Sequence, residues 1–294
     1  MVRTVRSPVV HRCGLGSVER RDFLTLLTGG MVAALTGCTG GGSQRGRATG
    51  AHGPTTSVAP GAGPSTTRSR LPPPPLPPIP PPRPGHPNVI LRAPKPTNQV
   101  ALTIDDGYCR ECVAGYVAFA ERTGIQLTFS PNGRFGDLWR PHTRVLRPLI
   151  AAGQVQIGNH TWSHPDLLRA NDGAVRVEIE RNEDWIQKTF GITARPYFRP
   201  PFGRHDRRVD ELAGSLGYTS IMMWNGTLGD ATVETPGELL GLADKWVRAG
   251  SIVLGHANHP TVLRLFGELQ RLLARRALAP VTIDAMFGTS RAQG

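Results

Sequence analysis

Apolar residues recur in short runs along the second two-thirds of the chain. They are QVALTID (residues 99–105), IQLTFS (125–130), QVQIGN (154–159), RPYFRP (195–200), TSIMMW (219–224) and GSIVLGH (250–256). Each is six or seven residues long, and most are rich in β-branched or aromatic types, the signature of a buried strand. Helical periodicity fills the intervals. In 173–191, Val175, Ile179, Ile186 and Phe190 share one face, and Gly191 follows as a stop signal. In 207–217, Val209, Leu212 and Leu216 repeat the device before Gly217. Residues 236–250 and 259–278 give two more helices. Strand alternating with helix predicts an α/β fold with a parallel sheet and helices outside, closed into a distorted (β/α) barrel. In such folds chemistry gathers at the C-terminal ends of the strands. The unusual polar clusters fall there: Asp105-Asp106 after the first run, GNHTWSHP after the third, RPPFG, WNGTLGD and LGHANH after the next three.

Asp105 and Asp106 are adjacent where a strand becomes a loop. Neighbouring side chains on a strand diverge by about half a turn, so one carboxylate is expected to face a metal and the other a substrate. His160 and His164 are four apart between Gly158 and Pro165, on a turn rather than a helix. Two histidines and one aspartate make a three-ligand site with positions left for water, as catalytic zinc sites have. Such a cation acidifies bound water and polarises a carbonyl.

Composition divides the chain. Lys plus Arg exceeds Asp plus Glu by 12 over 294 residues. Residues 1–87 hold ten arginines against two acids, Glu19 and Asp22; the other 207 residues carry 24 bases against 20 acids. The charge therefore belongs to the leading segment, and nucleic-acid binding by the folded part is not expected. Residues 1–37 read as an export signal. Arg20-Arg21 precede an apolar run of about fourteen residues, shorter than the roughly 20 that span a bilayer. That segment resembles a twin-arginine signal, and Leu35-Thr36-Gly37-Cys38 resembles a bacterial lipobox, which implies cleavage before Cys38 and its lipidation. The alternative is an ordinary secretory signal with an incidental cysteine. Residues 38–87 are rich in Gly, Ser, Thr and Pro and end in LPPPPLPPIPPPRPGHP, a polyproline spacer that builds no core. Residues 88–294 are the folded domain. A lipid-anchored, extracytoplasmic protein at a bacterial cell surface is the expected setting, its head lifted into the wall.

Taken in order, TIDDG (103–107), HTWSH (160–164), RPPFG (199–203), WNGTLGD (224–230) and LGH (254–256) resemble the five motifs of the polysaccharide deacetylases, the NodB-homology or carbohydrate esterase family 4 group. The resemblance covers about residues 100–288. It implies Asp105 as general base and Asp106, His160 and His164 as ligands of a divalent metal, zinc with cobalt, manganese or nickel as alternatives. It implies that Arg199 orients Asp105, that a backbone N–H near Phe202 faces the oxyanion, that Leu254 forms the acetyl pocket, and that Asp230 tunes His256, the general acid. Departures stand at Ala231 and Thr227, where the family usually has Trp and Asp, and at Tyr108, where it has Pro. They put substrate preference in question.

Trp162 and Trp224 are candidates for sugar contact, Trp162 with core packing as the alternative. Cys109 and Cys112, one helical turn apart, are read as a local disulfide. The expected activity is hydrolysis of N-acetyl groups on a cell-wall polysaccharide, peptidoglycan N-acetylglucosamine first. Rivals are a chitooligosaccharide deacetylase, an O-acetyl esterase on xylan-like glycans, a non-catalytic wall-binding lipoprotein, and a two-His-one-carboxylate iron oxygenase, against which the βα alternation speaks.

Overall fold

The computed structural model describes residues 79, 81–232 and 235–288. The export segment, Cys38 and nearly all of the spacer lie outside the described residues. Among the described residues no helix is long and apolar enough to cross a membrane.

Among the described residues there are nine strands: β1 Asn88–Ile90, β2 Gln99–Asp106, β3 Leu127–Pro131, β4 Val155–Ile157, β5 Tyr197–Phe198, β6 Ser220–Met222, β7 Gly226–Thr227, β8 Ile252–His256 and β9 Ala279–Val281. Eight helices accompany them: α1 Arg110–Thr123, α2 Gly136–Trp139, α3 Thr143–Ala151, α4 Asp172–Phe190, α5 Arg207–Ser215, α6 Pro236–Trp246, α7 Phe266–Arg275 and α8 Ile283–Phe287. Every strand pairing is parallel. One sheet runs β4-β3-β2-β8-β7, with β9 beside the start of β2; the other runs β1-β6-β5. An isolated bridge, Asn159 to Phe198, joins the end of β4 to β5, and an antiparallel one joins Arg92, past β1, to Ser251, just before β8. The barrel is thus two parallel sheets joined by isolated bridges rather than one continuous ring. The α/β class and the parallel pairing agree with the alternation in the sequence.

β2 is the axis. Its residues from Val100 to Asp106 are all buried, as a strand covered on both faces must be. β3 pairs along Thr103–Asp106 and β8 along Ala101–Asp105, so the ends of three strands open on one side. α4 buries Val175, Ile179, Ile186 and Phe190 completely. Asn171 caps its N-terminus through Ala174 N–H, and Gly191 closes it at φ 76°. Asp206 caps α5 and Thr235 with Glu238 caps α6 reciprocally.

The departures from the sequence pattern have local causes. β1, β7 and β9 are two or three residues long, too short for a period to register. α1 holds one face of Cys112, Val113, Tyr116, Val117 and Ala120; its mixed polarity masks that face. In 259–278 the first turn is a 3₁₀ segment, Pro260–Leu265, and the regular helix begins at Phe266.

Candidate metal centre and cleft

β2 delivers the two carboxylates, but not half a turn apart. Asp106 has φ 65°, a left-handed conformation that Asp tolerates better than most residues. The reversal swings its side chain back toward that of Asp105, so both approach His160: Nε2 lies 3.7 Å from Asp105 Oδ2 and 3.5 Å from Asp106 Oδ1. Gly107 continues the turn at φ 97°, and a Cβ there would sit 2.4 Å from the Trp139 indole nitrogen. Only glycine fits.

The HTWSH turn follows β4 and also carries left-handed residues, Thr161 and His164. Thr161 Oγ1 accepts from His164 N–H at 3.1 Å, and Asn132 Nδ2 donates to the carbonyls of His160 and Thr161. His160 Nδ1 is 2.7 Å from the Arg199 carbonyl oxygen. That bond places the proton on Nδ1 and leaves Nε2 bare toward the carboxylates. His164 Nε2 lies 3.7 Å from Asp106 Oδ1, and its ring meets Phe202 edge-on at 4.4 Å. The donor atoms of Asp106, His160 and His164 fall within 4.8 Å of one another. One oxygen and two ring nitrogens suit a divalent cation such as zinc.

Electrostatics agree. Burial alone would raise the Asp106 carboxyl, but the hydrogen bond and charge of His160, with His164 and Asn258, hold it well below the usual carboxylate range. Burial would lower His160; the charge of Asp105 and the bond to Asp106 turn the balance upward. Two carboxylates thus create a place that attracts positive charge. His164 is lowered to about 4 by its burial and then by His160, so it offers a neutral imidazole at neutral pH. Asp105 Oδ1 is buried without a hydrogen-bond partner while Oδ2 accepts from Arg199 at 2.9 Å. An orphaned, buried carboxylate oxygen beside the donor set fits a water held there by a cation.

Arg199 is fully buried. Its guanidinium donates to Asp105, to Thr103 Oγ1 at 3.0 Å and to the Met222 carbonyl. Two strands, β2 and β6, therefore fix one side chain, and that side chain fixes Asp105. On β8, His256 pairs in register with Asp105 on β2, on strands about 4.8 Å apart. His256 Nδ1 is 3.0 Å from Asp230 Oδ1, and its backbone N–H donates to Asp230 Oδ2 at 2.9 Å. Burial would lower His256; the hydrogen bond and charge of Asp230, then Asp105 and Asp106, raise it.

Asp105, Asp106, His160, His164 and His256 open into one cleft of about 640 Å³, within the range of roughly 300–1,000 Å³ usual for ligand sites, while Arg199 and Asp230 are buried behind it. Phe202, Trp224 and Leu254 line it, as do Thr227 and Ala231. Phe202 has φ 59°, and Gly203 beside it has φ 64° with the Trp224 ring 2.6 Å from where a Cβ would be. Trp162 is not brought into the cleft. Its ring packs against Gly133 and under the Arg181 guanidinium, 4.0 Å from the centroid. Cys109 and Cys112 are bridged, with Cα atoms 5.2 Å apart.

Several residues at the site gave no signal in the sequence. Asn258 Nδ2 donates to Asp106 Oδ2 at 2.6 Å, and Asn132, Arg134 and Phe135 line the cleft beside Tyr108, which the first motif had already marked as a departure. Asn258 lies two residues past His256 in LGHAN, and that adjacency was the only available hint.

Residues 92–221 match the family model described as polysaccharide deacetylase. A chitin deacetylase of Pestalotiopsis sp is 28% identical over 213 residues, 69% of this chain and 68% of the relative. The peptidoglycan-N-acetylglucosamine deacetylase PgdA of Listeria monocytogenes is 27% identical over 199 residues, 66% of this chain. The chain spans 40% of the length of that protein. Among solved structures, a CE4 family pseudoenzyme from Bacillus anthracis superposes with a TM-score of 0.60 at 20% identity, covering 68% of this chain and 69% of the other. Over residues 92–221 the sequence is thus that of a polysaccharide deacetylase domain, in keeping with the five ordered motifs and the two relatives, and the superposed structure shares its fold.

Proposed function

We propose that the protein removes N-acetyl groups from a cell-wall polysaccharide, peptidoglycan N-acetylglucosamine in the first place, with a divalent cation held by Asp106, His160 and His164. The observation that carries this reading is the pairing of Asp105, which keeps one unpartnered buried oxygen, with His256 next to it on the adjacent strand. A pseudoenzyme shares the fold, so the reading rests on these side chains and not on the fold.

Held by Asp106, His160 and His164, a divalent cation would supply a positive charge to polarise the acetyl carbonyl and acidify water. Asp105, held by Arg199, takes the proton of the attacking water on its free oxygen. A backbone N–H near Phe202 donates to the oxygen of the tetrahedral intermediate. His256, charged through Asp230, gives its proton to the leaving amine. Leu254 and Trp224 bound the space for the acetyl methyl, and Ala231 leaves that space open on one side. We propose zinc as the native ion because two imidazoles and one carboxylate with an open position are its usual catalytic set. Export, lipidation at Cys38 and attachment to the outer membrane face are proposed on the leader sequence. Cys38→Ser is expected to move the protein from the membrane to the soluble fraction.

The decisive measurement is acetate release by the full chain on peptidoglycan, chitin oligomers and acetylxylan, with and without chelator. The reading expects release from peptidoglycan that chelator abolishes and zinc restores. Release from acetylxylan alone, or release indifferent to chelator, would overturn it.

A further inference from the structure

The rim of the cleft carries a cation that no acid among the described residues neutralises. Arg134 lines the cleft, and its guanidinium stands 5.7 Å from the centroid of the Phe135 ring. Other exposed arginines nearby are committed. Arg140 pairs with Asp137 at 3.1 Å and Arg204 with Asp166 at 2.6 Å, while Arg181 covers Trp162. Asp137, the acid closest to Arg134 in sequence, is thereby taken. Among the described residues the acids lining the cleft are Asp105 and Asp106. Asp105 belongs to Arg199, and Asp106 to the two histidines and Asn258. Among the described residues Arg134 forms no ion pair.

The guanidinium is also carried on a rigid base. Three successive backbone N–H groups are fixed: Gly133 donates to Asn182 Oδ1 at 2.7 Å, Arg134 to the Trp162 carbonyl and Phe135 to the Asn132 carbonyl, both at 3.0 Å. The Arg134 turn is therefore tied directly to the turn that bears His160 and His164. Next to it stand two aromatic rings, Tyr108 and Phe135, with centroids 5.7 Å apart. Tyr108 is half exposed, and its hydroxyl is held 3.3 Å from His259 Nε2. Flat rings receive the apolar face of a sugar, and a guanidinium stacked at their edge is preorganised to accept a carboxylate through two parallel hydrogen bonds.

We propose that Arg134, with Tyr108 and Phe135, forms a subsite for a carboxylate-bearing sugar next to the one deacetylated. This rests on the deacetylase reading and deepens it: the substrate glycan is anionic. Peptidoglycan strands freed of their stem peptides fit because every second sugar then carries a free lactyl ether carboxylate, whereas chitin offers no negative charge.

The test compares a peptidoglycan glycan fragment with free lactyl carboxylates and the same fragment with each carboxylate converted to its methyl amide. Both are titrated calorimetrically into the zinc-loaded full chain. The wild type is expected to bind the acid roughly three- to tenfold more tightly than the amide, the range between an exposed ion pair and a charged hydrogen bond. That ratio is expected to fall below about twofold in Arg134→Gln and to lie between the two in Arg134→Lys. Arg134 is exposed, so these variants are expected to fold; circular dichroism checks it. Equal binding of acid and amide by the wild type, a preference that survives in Arg134→Gln, or no binding of either fragment would overturn the subsite. Acetate release is read separately. Its absence from every substrate alongside a clear acid preference sinks the deacetylase reading and leaves the subsite standing.

Discussion

The two sides of the cleft are built differently. On the side of the histidine turn, each group is held several times over. Asn159 Nδ2 donates to the Ile179 carbonyl and to Tyr218 Oη, and its Oδ1 accepts from Thr161 N–H and Asn182. Tyr218 in turn donates to Glu183 at 2.6 Å, and Glu183 also accepts from Thr193, Ala194 N–H and Arg195. This buried polar web runs from α4 to β4 and sets the backbone on which His160 stands. On the other side, His256 rests on Asp230, and the next residues, Ala231 and Thr232, are exposed. Redundancy marks the side that must hold a fixed geometry. A single carboxylate marks the side that must exchange a proton, where a second partner would trap the imidazolium.

The sharpest way to separate the sides is to remove one group from each. His256→Ala is expected to lower kcat by about 10²–10⁴-fold, the usual share of a general acid, with zinc content near that of the wild type. Asp105→Asn is expected to behave alike. His160→Ala is expected to lose zinc and activity together. Elemental analysis beside acetate release distinguishes the cases; loss of zinc in His256→Ala would show that the two sides are one unit.

A smaller effect is expected within the web. Tyr218→Phe removes one hydroxyl and leaves a Glu183 oxygen and an Asn159 N–H short of a partner. The expected cost is about 1–3 kcal/mol of stability, with roughly tenfold weaker zinc binding by chelator competition. If zinc affinity and turnover both stay at wild-type values, the web serves stability and does not position the ligand.

Asp230→Asn acts on the proton rather than the frame. The raised value of His256 means that its charged form is favoured in the folded protein. The sign follows from that direction: the stabilisation is complete below the ordinary histidine value of about 6.5 and is lost as pH rises through the raised one. The acid must also be charged to work, so kcat is expected to fall along the same alkaline limb. Removing the Asp230 charge lowers the folded-state value and moves that limb toward acid. Identical pH profiles for the variant and the wild type would remove Asp230 from the mechanism.

These contrasts also mark what the sequence discloses. β2, the helical faces of α4 and α5, and the groups at the ends of β2, β4 and β8 were legible because each lies in a run with its own period or at its end. The web was not legible. Asn159, Asn182, Glu183 and Tyr218 meet across as many as 59 residues with no recurring spacing, and each alone is an ordinary polar residue. The convergence of Asp105 and Asp106 on His160 was hidden for another reason. Strand alternation predicts divergence, and a single positive φ at Asp106 reverses it. Trp162, between the two histidines, reads in the sequence as a sugar contact with core packing as the alternative; its backbone N–H bonds to the Glu178 carbonyl and its ring turns to Arg181.

The smallest expected effect concerns the one covalent crosslink among the described residues. Cys109 and Cys112 are bridged at the start of α1, and Cys109 N–H donates to the Ala257 carbonyl at 3.2 Å, one residue past His256. Closing so short a loop removes little chain entropy, about 2 kcal/mol by the loop-length relation. Cys109→Ala with Cys112→Ala is then expected to lower Tm by roughly 4–8 °C and to leave turnover within about twofold of the wild type at 25 °C. That outcome keeps Asp230 as the support of the acid side. A loss of turnover well beyond twofold, with the fold intact by circular dichroism, would mean that the crosslink holds the end of β8 in place. The acid side would then be braced from two directions, and the difference between the two walls of the cleft would be one of degree.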